Sequence, residues 1–406
     1  MNQINDPGVP PEERLAALRV VAGQETFPDW VVESNNHIHT CYSFSPHTPS
    51  AAPWPTPPNS PPPPPEPEPE NTMSNAPKVR GAFLTALNRP VLVRPSDAEA
   101  TIVLDAATIP ADVSLPAVVR LREETYEVTA TPRGEREISG RVALVTGGAQ
   151  GFGAEIAKGL VDQGCFVFIA DLNGDGAAAK CAELGADLTH PITVNVADEE
   201  SVAAMAAEVE RVAGGIDLVI SNAGIVRAGS VLEQDASAFR LSTDINYVAF
   251  FLVTKHLGGL LARQHEAAPG WLTDIIQINS KSGLVGSNKN AAYAGSKFGG
   301  IGLVQSFALE LVEHGIKVNA VCPGNFYDGP LWSDPDRGLF VQYLNSGKVP
   351  GATTIEDVRA FYEAKVPMRR GTTGIDVLRA IYYIVEQAYE TGQAVPVTGG
   401  QVMLNA

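Results

Sequence analysis

From about residue 138 onward, short apolar runs alternate with amphipathic stretches, and nothing else in the chain restricts the fold as much. The runs are RVALVT (141–146), FVFIAD (166–171), PITVNV (191–196), DLVISNAG (217–224), DIIQINS (274–280), KVNAVCPG (317–324) and AVPVTGG (394–400). Helical patterns lie between them, the longest over about 236–264 and 292–315, with Gly315 as a natural stop. Apolar runs without polar alternation are strands covered on both faces. Joined by helices, they predict an α/β chain with a doubly wound parallel sheet of about seven strands over residues 138–406.

The first run opens into TGGAQGFG: Thr146, Gly147, Gly148, Ala149, Gln150, Gly151, Phe152 and Gly153. A glycine loop between a strand and a helix lets the backbone turn tightly against a pyrophosphate, whose charge the helix N-terminus favours. This context makes the sheet Rossmann-like and points to a dinucleotide. The second run ends at Asp171, eighteen residues after Gly153. A carboxylate there can accept hydrogen bonds from both adenosine ribose hydroxyls, and it repels a 2′-phosphate. No Arg or Lys stands in the loop to receive that phosphate. NAD is therefore expected rather than NADP. The competing reading of Asp171 is a helix N-cap.

The stretch INSKSGLVGSNKNAAYAGSKFGG (278–300) holds Ser280, Tyr293 and Lys297. Ser280 ends the fifth strand, at the carboxyl edge where open α/β sheets bind ligands. Tyr293 and Lys297 are four residues apart and share one helix face. A tyrosine with a pKa of about 10 is a poor base at neutral pH. A nearby ammonium favours the phenolate and lowers that value. Such a tyrosine can take a proton from an alcohol as hydride leaves its carbon, while Ser280 orients the same oxygen. Singly, these residues read as a capping serine, a half-buried tyrosine and a solvated lysine. Their order and spacing behind a dinucleotide loop is what points to chemistry.

Together these motifs resemble the short-chain dehydrogenase/reductase family across residues 138–406. The family's Asn-Ala-Gly element falls on Asn222, Ala223 and Gly224, its catalytic asparagine on Asn246, and its proline–glycine turn on Pro323 and Gly324. Its catalytic serine, tyrosine and lysine fall on Ser280, Tyr293 and Lys297. The resemblance implies Tyr293 as acid/base, Lys297 holding the nicotinamide ribose, and Asn246 anchoring a proton-relay water. It implies NAD contacts at Gly147, Gln150, Gly151, Phe152, Gly153, Asp171, Asn195, Val196, Asn222, Ala223, Gly224, Tyr293, Lys297, Pro323 and Gly324. The family often has Asp where this chain has Asn195; an amide can still bond an adenine amino group. A homotetramer built on the two long helices is implied as well.

A narrower likeness, in IIQINSKSGLVGS, AKVPMRRG and TGQAVPVTGGQVM, is to the polyol-phosphate dehydrogenases of that family. It implies NAD-linked oxidation of a sugar-alcohol phosphate, such as sorbitol 6-phosphate to fructose 6-phosphate. Lys281, Lys289, Arg369 and Arg370 are cations on segments that could approach a phosphate. Lys281 and Asn325 are the substrate candidates. The segment after Gly324, as far as Gly371, reads as a mobile substrate lid.

Residues 53–70 read PWPTPPNSPPPPPEPEPE, in which eleven of eighteen are proline. Such a run favours an extended spacer, roughly 55 Å long. The expected organisation is a leader (1–52), a Pro-rich linker (53–79), a small β-rich region (80–137) and the dehydrogenase-like domain. PVLVRP, TIVLDA and EETYEVTATP are the β-like runs of the third part. In the leader, NNHIHTCYSFSPHTPS (35–50) places His37 and His39 on one side of a strand, as a metal pair would be. It resembles the opening of the polymerase-and-histidinol-phosphatase metal hydrolases. That barrel needs many further ligands, yet only His47 follows before the proline run, so a truncated remnant without metal is expected.

A net charge of −17 excludes the basic surface of a nucleic-acid binder. The four cysteines form no CxxC pair, which gives no zinc knuckle or dithiol motif and fits free thiols in a reducing cytosol. No secretory signal and no apolar run of about 20 residues is visible. The expectation is a cytoplasmic enzyme with a small-molecule substrate and no membrane partner. The alternatives are a dehydrogenase or reductase of another polyol or carbonyl compound, a metal-dependent phosphoesterase using His37 and His39, and a non-catalytic NAD-binding protein docked through its prolines.

Overall fold

The computed structural model describes residues 74–403, apart from 105–107, 111, 337, 346 and 348. The readings of the leader, its histidines and the whole proline run lie outside the described residues.

Where the sequence reading placed the end of the linker, the chain is already a helix. Helix α1 (Ala76–Leu87) carries Pro77 in its first turn, where a missing N–H breaks no bond. It ends at Asn88, left-handed with φ 47°, whose N–H caps the Leu84 carbonyl. Then follow β1 (Val91–Pro95), β2 (Ile102–Leu104), β3 (Ala117–Leu121) and β4 (Glu124–Ala130), in the sheet order β1-β4-β3-β2. Val79 and Phe83 of α1 close a small core with Val91, Val119, Tyr126 and Val128. The linker boundary at 79 is thus too late, and the region is not β alone. The cause is Arg80, a charge on the buried stripe of α1 that breaks its apolar pattern.

The large sheet begins with β5 (Val142–Thr146), α2 (Gly151–Val161), β6 (Phe166–Asp171), α3 (Gly174–Leu184), β7 (Thr189–Thr193), α4 (Glu199–Ala213) and β8 (Leu218–Ser221). Helices α5 (Ala236–Thr243) and α6 (Ala249–His265) are joined through a π-turn at Asp244–Val248. After them come β9 (Thr273–Ile278), α7 (Ala291–Leu311) and β10 (Ile316–Pro323). Helices α8 (Pro330–Ser333), α9 (Leu339–Asn345), α10 (Ile355–Ala364) and α11 (Gly374–Glu386) precede the last strand, β11 (Ala394–Val397). The order is β11-β10-β9-β8-β5-β6-β7, and every pairing is parallel. Seven parallel strands with helices on both faces are the Rossmann-like arrangement expected. The third strand lies earlier than its pattern suggested: β7 pairs Thr189–Thr193 with β6, and Val194–Val196 run beyond the sheet.

Alternate residues of β5 serve opposite cores. Val142 and Leu144 pack with Val209 of α4 and Phe250 and Leu257 of α6. Ala143 and Val145 pack with Ile156 and Leu160 of α2 and Ile381 of α11. This two-sided burial is why the strands show no polar alternation. Helix starts follow local capping: Asp198 accepts from the Glu200 N–H, and Thr354 and Thr373 form capping boxes with Asp357 and Asp376.

Joined through the π-turn, α5 and α6 make one helix, Ala236–His265, of 30 residues, long and apolar enough by length and composition to cross a bilayer. The sequence reading saw no such run. The helix lies against the sheet, with Phe250, Leu257 and Leu261 in the core.

The contacts do not divide at residue 138, because 74–137 belong with the large sheet in one compact unit. Arg80 reaches from α1 under the sheet to Asp217, just before β8, with Nη1–Oδ1 at 3.0 Å and Nη2–Oδ2 at 2.7 Å. Arg80 also donates to the carbonyls of Val91 and the Gln264 side chain, at 3.0 and 2.6 Å. Asp217 in turn accepts from the Val142 N–H at 2.8 Å and Trp271 Nε1 at 3.0 Å. Burial alone would raise the Asp217 carboxyl, but Arg80 and these donors hold it below its ordinary value.

The expected mobile lid is a packed helical cap. Tyr327, Trp332, Phe340, Val349, Val358 and Val366 form its apolar cluster, from α8 to just beyond α10. Aromatic residues that seemed to suit an open cover instead pack on each other.

Candidate active site

Between β5 and β8 the strand order reverses, and it is at the carboxyl ends of such a switch point that open α/β sheets bind ligands. The glycine loop after β5 lies at that point. A Cβ on Gly153 would stand 2.0 Å from the Gly147 carbonyl oxygen, so only glycine lets α2 close on the turn. Gly151 has φ +58°, and a Cβ there would meet nothing nearer than Pro330 Cδ at 3.9 Å. Gln150 precedes α2 without a side-chain cap, leaving N–H groups at the helix start for an anion. These features fit the pyrophosphate of a nicotinamide dinucleotide.

Asp171 sits at the end of β6. Its Oδ2 accepts from the loop's Ala149 N–H at 3.1 Å and its Oδ1 from Asn173 N–H at 3.0 Å. Asn173, not Asp171, caps α3. Asn195 is exposed, with Oδ1 accepting from Ala197 N–H at 3.2 Å, and Val196 is buried beside it. Asn222 donates Nδ2 to the carbonyls of Thr146 and Gly147, at 2.9 and 3.2 Å, and the Thr146 hydroxyl accepts from the N–H groups of Asn222 and Ala223. The Asn-Ala-Gly element therefore braces the glycine loop. Phe152 stacks on Phe326, centroids 4.3 Å apart, which ties the loop to the cap.

Ser280, Tyr293 and Lys297 come together from β9's end and α7. Ser280 caps the short 3-10 turn Lys281–Gly283, and its hydroxyl lies on the Tyr293 side. Burial pushes the Tyr293 hydroxyl above its ordinary value, and the nearby Ser280 hydroxyl opposes this. The lowering expected from Lys297 does not dominate. Its Nζ lies 5.7 Å from the Tyr293 ring centroid and donates to the Ile278 carbonyl at 2.8 Å. Burial also brings the Lys297 ammonium down to about 8. An oxidised nicotinamide cofactor, when bound, would supply the hydride acceptor and a further positive charge.

Asn246 lies buried in the π-turn, where Ala249 N–H bonds back to Asp244. Its Oδ1 accepts from Ile225 N–H at 2.8 Å and its Nδ2 donates to Ile225 O at 2.9 Å. Both ends of the side chain are thus anchored on Ile225. A Cβ on Gly224 would lie 3.0 Å from Asn246 Oδ1 and 3.8 Å from Lys297 Nζ, so this turn borders Lys297.

The four cations differ in what holds them. Arg370 pairs with Asp376 at 2.5 Å, and Arg369 donates to the Ala364 carbonyl; these structural contacts occupy both guanidinium groups. Lys289 is exposed, left-handed at φ +54°. Lys281, next to Ser280 in the chain, is half-buried and pairs with no acid among the described residues. Burial lowers its ammonium, and the Lys365 ammonium lowers it further. Lys365 rests over the Phe361 and Tyr362 rings, at 4.0 and 4.8 Å. Asn325 spends its amide on the Tyr327 hydroxyl at 3.1 Å, which donates to the Tyr362 carbonyl at 3.0 Å. One Asn325 N–H thus helps hold the cap. Pro323 pairs with Val397 at the sheet edge, and Gly324 N–H donates to Val397 O at 2.9 Å.

Residues 141–333 match the family described as short chain dehydrogenase. Sorbitol-6-phosphate 2-dehydrogenase of Escherichia coli K12 is 36% identical over 270 residues, 65% of this chain and 99% of that protein. The chain belongs to the short-chain dehydrogenase family. Another member, the 2-dehydro-3-deoxy-L-rhamnonate dehydrogenase (NAD(+)) of Sphingomonas sp. SKA58, is 36% identical over 217 residues, 52% of this chain and 81% of that one. The crystal structure of sorbitol-6-phosphate 2-dehydrogenase from Erwinia amylovora superposes with a TM-score of 0.58 at 38% identity, covering 65% of this chain and all of that one, 100%. As a short-chain dehydrogenase, the chain is an oxidoreductase that uses a nicotinamide cofactor.

Sequence reading missed two residues at this dehydrogenase site. Lys365 lies on the cap, far along the chain from Ser280; it stands inside the quoted AKVPMRRG stretch, but only Arg369 and Arg370 were singled out there. Asn279 stands inside the quoted INS triplet, but its contacts depend on how α7 packs against β9.

Proposed function

We propose that this short-chain dehydrogenase oxidises a sugar-alcohol phosphate with NAD, sorbitol 6-phosphate to fructose 6-phosphate being the leading case. As hydride leaves the alcohol carbon, the Tyr293 oxygen accepts the hydroxyl proton, leaving a ketone. Ser280 orients that oxygen, and the Lys297 charge favours the phenolate form of Tyr293. The Asn246 main chain lines the route by which the proton leaves. Asp171, with no cation in the glycine loop, supports NAD over NADP.

The observation that carries the substrate is Lys281. It is an ammonium following the reacting serine, paired with no acid among the described residues and lowered by the charge of a second ammonium, Lys365, in a chain of net charge −17. Like charges repel, and a phosphate dianion would relieve that repulsion. The E. coli and Erwinia relatives, named for sorbitol 6-phosphate, support the same reading. A homotetramer built on α6 and α7 is proposed with it, supported by exposed Phe251, Phe298 and Leu309. A cytosolic setting is supported by the free buried thiols Cys165, Cys181 and Cys322.

The test is a panel of hexitol phosphates and free polyols, read by NADH absorbance. A kcat/KM for sorbitol 6-phosphate about 100-fold above that for sorbitol is expected from one or two charged hydrogen bonds. Equal use of both would remove the phosphate from the reading.

A further inference from the structure

Three successive residues at the end of β9 meet α7. The Ile278 carbonyl accepts from Lys297 Nζ at 2.8 Å. The Ser280 hydroxyl acts on the Tyr293 side chain, holding its hydroxyl lower than burial alone would. Between them, Asn279 donates Nδ2 to the Lys297 carbonyl at 2.9 Å and to Gln277 Oε1 at 2.7 Å. Its Oδ1 accepts from the Ser280 N–H at 2.8 Å. One amide thus grips the backbone of the catalytic serine with its oxygen and that of the catalytic lysine with its nitrogen. The reverse orientation would set an oxygen against two acceptors.

The pocket is built for this group. Asn279, Gln277 and Lys297 are all buried. A Cβ on Gly283 would stand 2.2 Å from Asn279 Oδ1, and one on Gly300 2.7 Å from both Gln277 side-chain atoms. Two glycines therefore let the 3-10 turn and α7 close over the amide pair. Both donors of Asn279 are used, so no alternative partner holds it elsewhere.

We propose that Asn279 is a positioning residue, which locks β9 to α7 and so sets the places of Ser280, Tyr293 and Lys297 for proton transfer. It touches neither substrate nor cofactor and acts through those three groups. The proposal rests on the dehydrogenase reading but not on the substrate, because any alcohol the enzyme turns over reports it.

The test uses Asn279→Ala and Asn279→Asp in the full chain, with the alcohol oxidised fastest by the unaltered enzyme. Asp keeps the volume and the acceptor but loses both donors. In both variants kcat is expected to fall about 10- to 100-fold, the scale of a small misplacement, while KM and NADH affinity stay near the unaltered values. The Asn279→Ala profile of kcat against pH should move to higher pH, as a less firmly placed ammonium favours the phenolate less. A lower melting temperature with unaltered kcat and pH profile in the folded fraction would overturn the proposal. If Asn279→Ala does not fold, Asn279→Asp alone decides it by the same split of kcat from KM.

Discussion

Arg80 and Asp217, 137 positions apart, form a two-point ion pair in which neither side chain is exposed. The pair fastens α1 and the small sheet to the base of the large one. Removing one partner leaves an uncompensated buried charge, which costs about 3–5 kcal/mol. Arg80→Ala should therefore lower urea stability by that amount. A chain starting at residue 138 should be insoluble or weakly folded, although every catalytic motif lies beyond that point. An active, fully stable 138–406 fragment would show that the clamp is dispensable.

A second expectation concerns pH. Lys297 stands at about 8 against an ordinary 10.5, because burial disfavours its charge. Its folded value is depressed, so between those two values the unfolded chain binds more protons and stability rises with pH. Below about 8 the cost is present in full. Urea unfolding at pH 7 and pH 10 should show the unaltered protein gaining on Lys297→Met as pH rises. A constant gap between the two would contradict the burial argument.

The thiols give a third. Burial pushes the Cys165 thiol up to about 12 and that of Cys322 up to about 11. A thiol that stays protonated and buried is inert. Peptide mapping after iodoacetamide should find both unmodified in the native protein and modified in urea. Rapid native labelling of Cys322 would mean that the site opens around Lys297.

A fourth concerns the cofactor. Asp171→Ala removes the charge that disfavours a 2′-phosphate, so kcat/KM with NADP should rise relative to NAD by at least about tenfold. An unchanged ratio would move cofactor choice away from Asp171.

The large sheet was legible because its strands are buried on both faces, so their apolar runs stand out from amphipathic helices. The glycine loop and the spacing of Ser280, Tyr293 and Lys297 were legible for a similar reason: turn geometry and one helical turn fix them locally. Helix α1 was not, since Arg80 lies on its buried face and only Asp217, distant in sequence, explains the charge. The cap was misread because aromatic residues look alike whether they cover a substrate or each other. Nor could sequence sort the cations. Arg370 is paired with Asp376, whereas Lys281 pairs with no acid among the described residues, and that distinction lies in three-dimensional contacts.

The central claim is that Tyr293 moves the proton while NAD takes hydride from a polyol phosphate. It is tested most directly by NADH absorbance with sorbitol 6-phosphate and NAD, comparing the unaltered chain with Tyr293→Phe. The substitution removes one hydroxyl and almost no volume. The account predicts steady NADH formation by the unaltered protein, and a rate lower by at least about 100-fold in a variant that still folds and binds NADH. Turnover by Tyr293→Phe at the unaltered rate would contradict it.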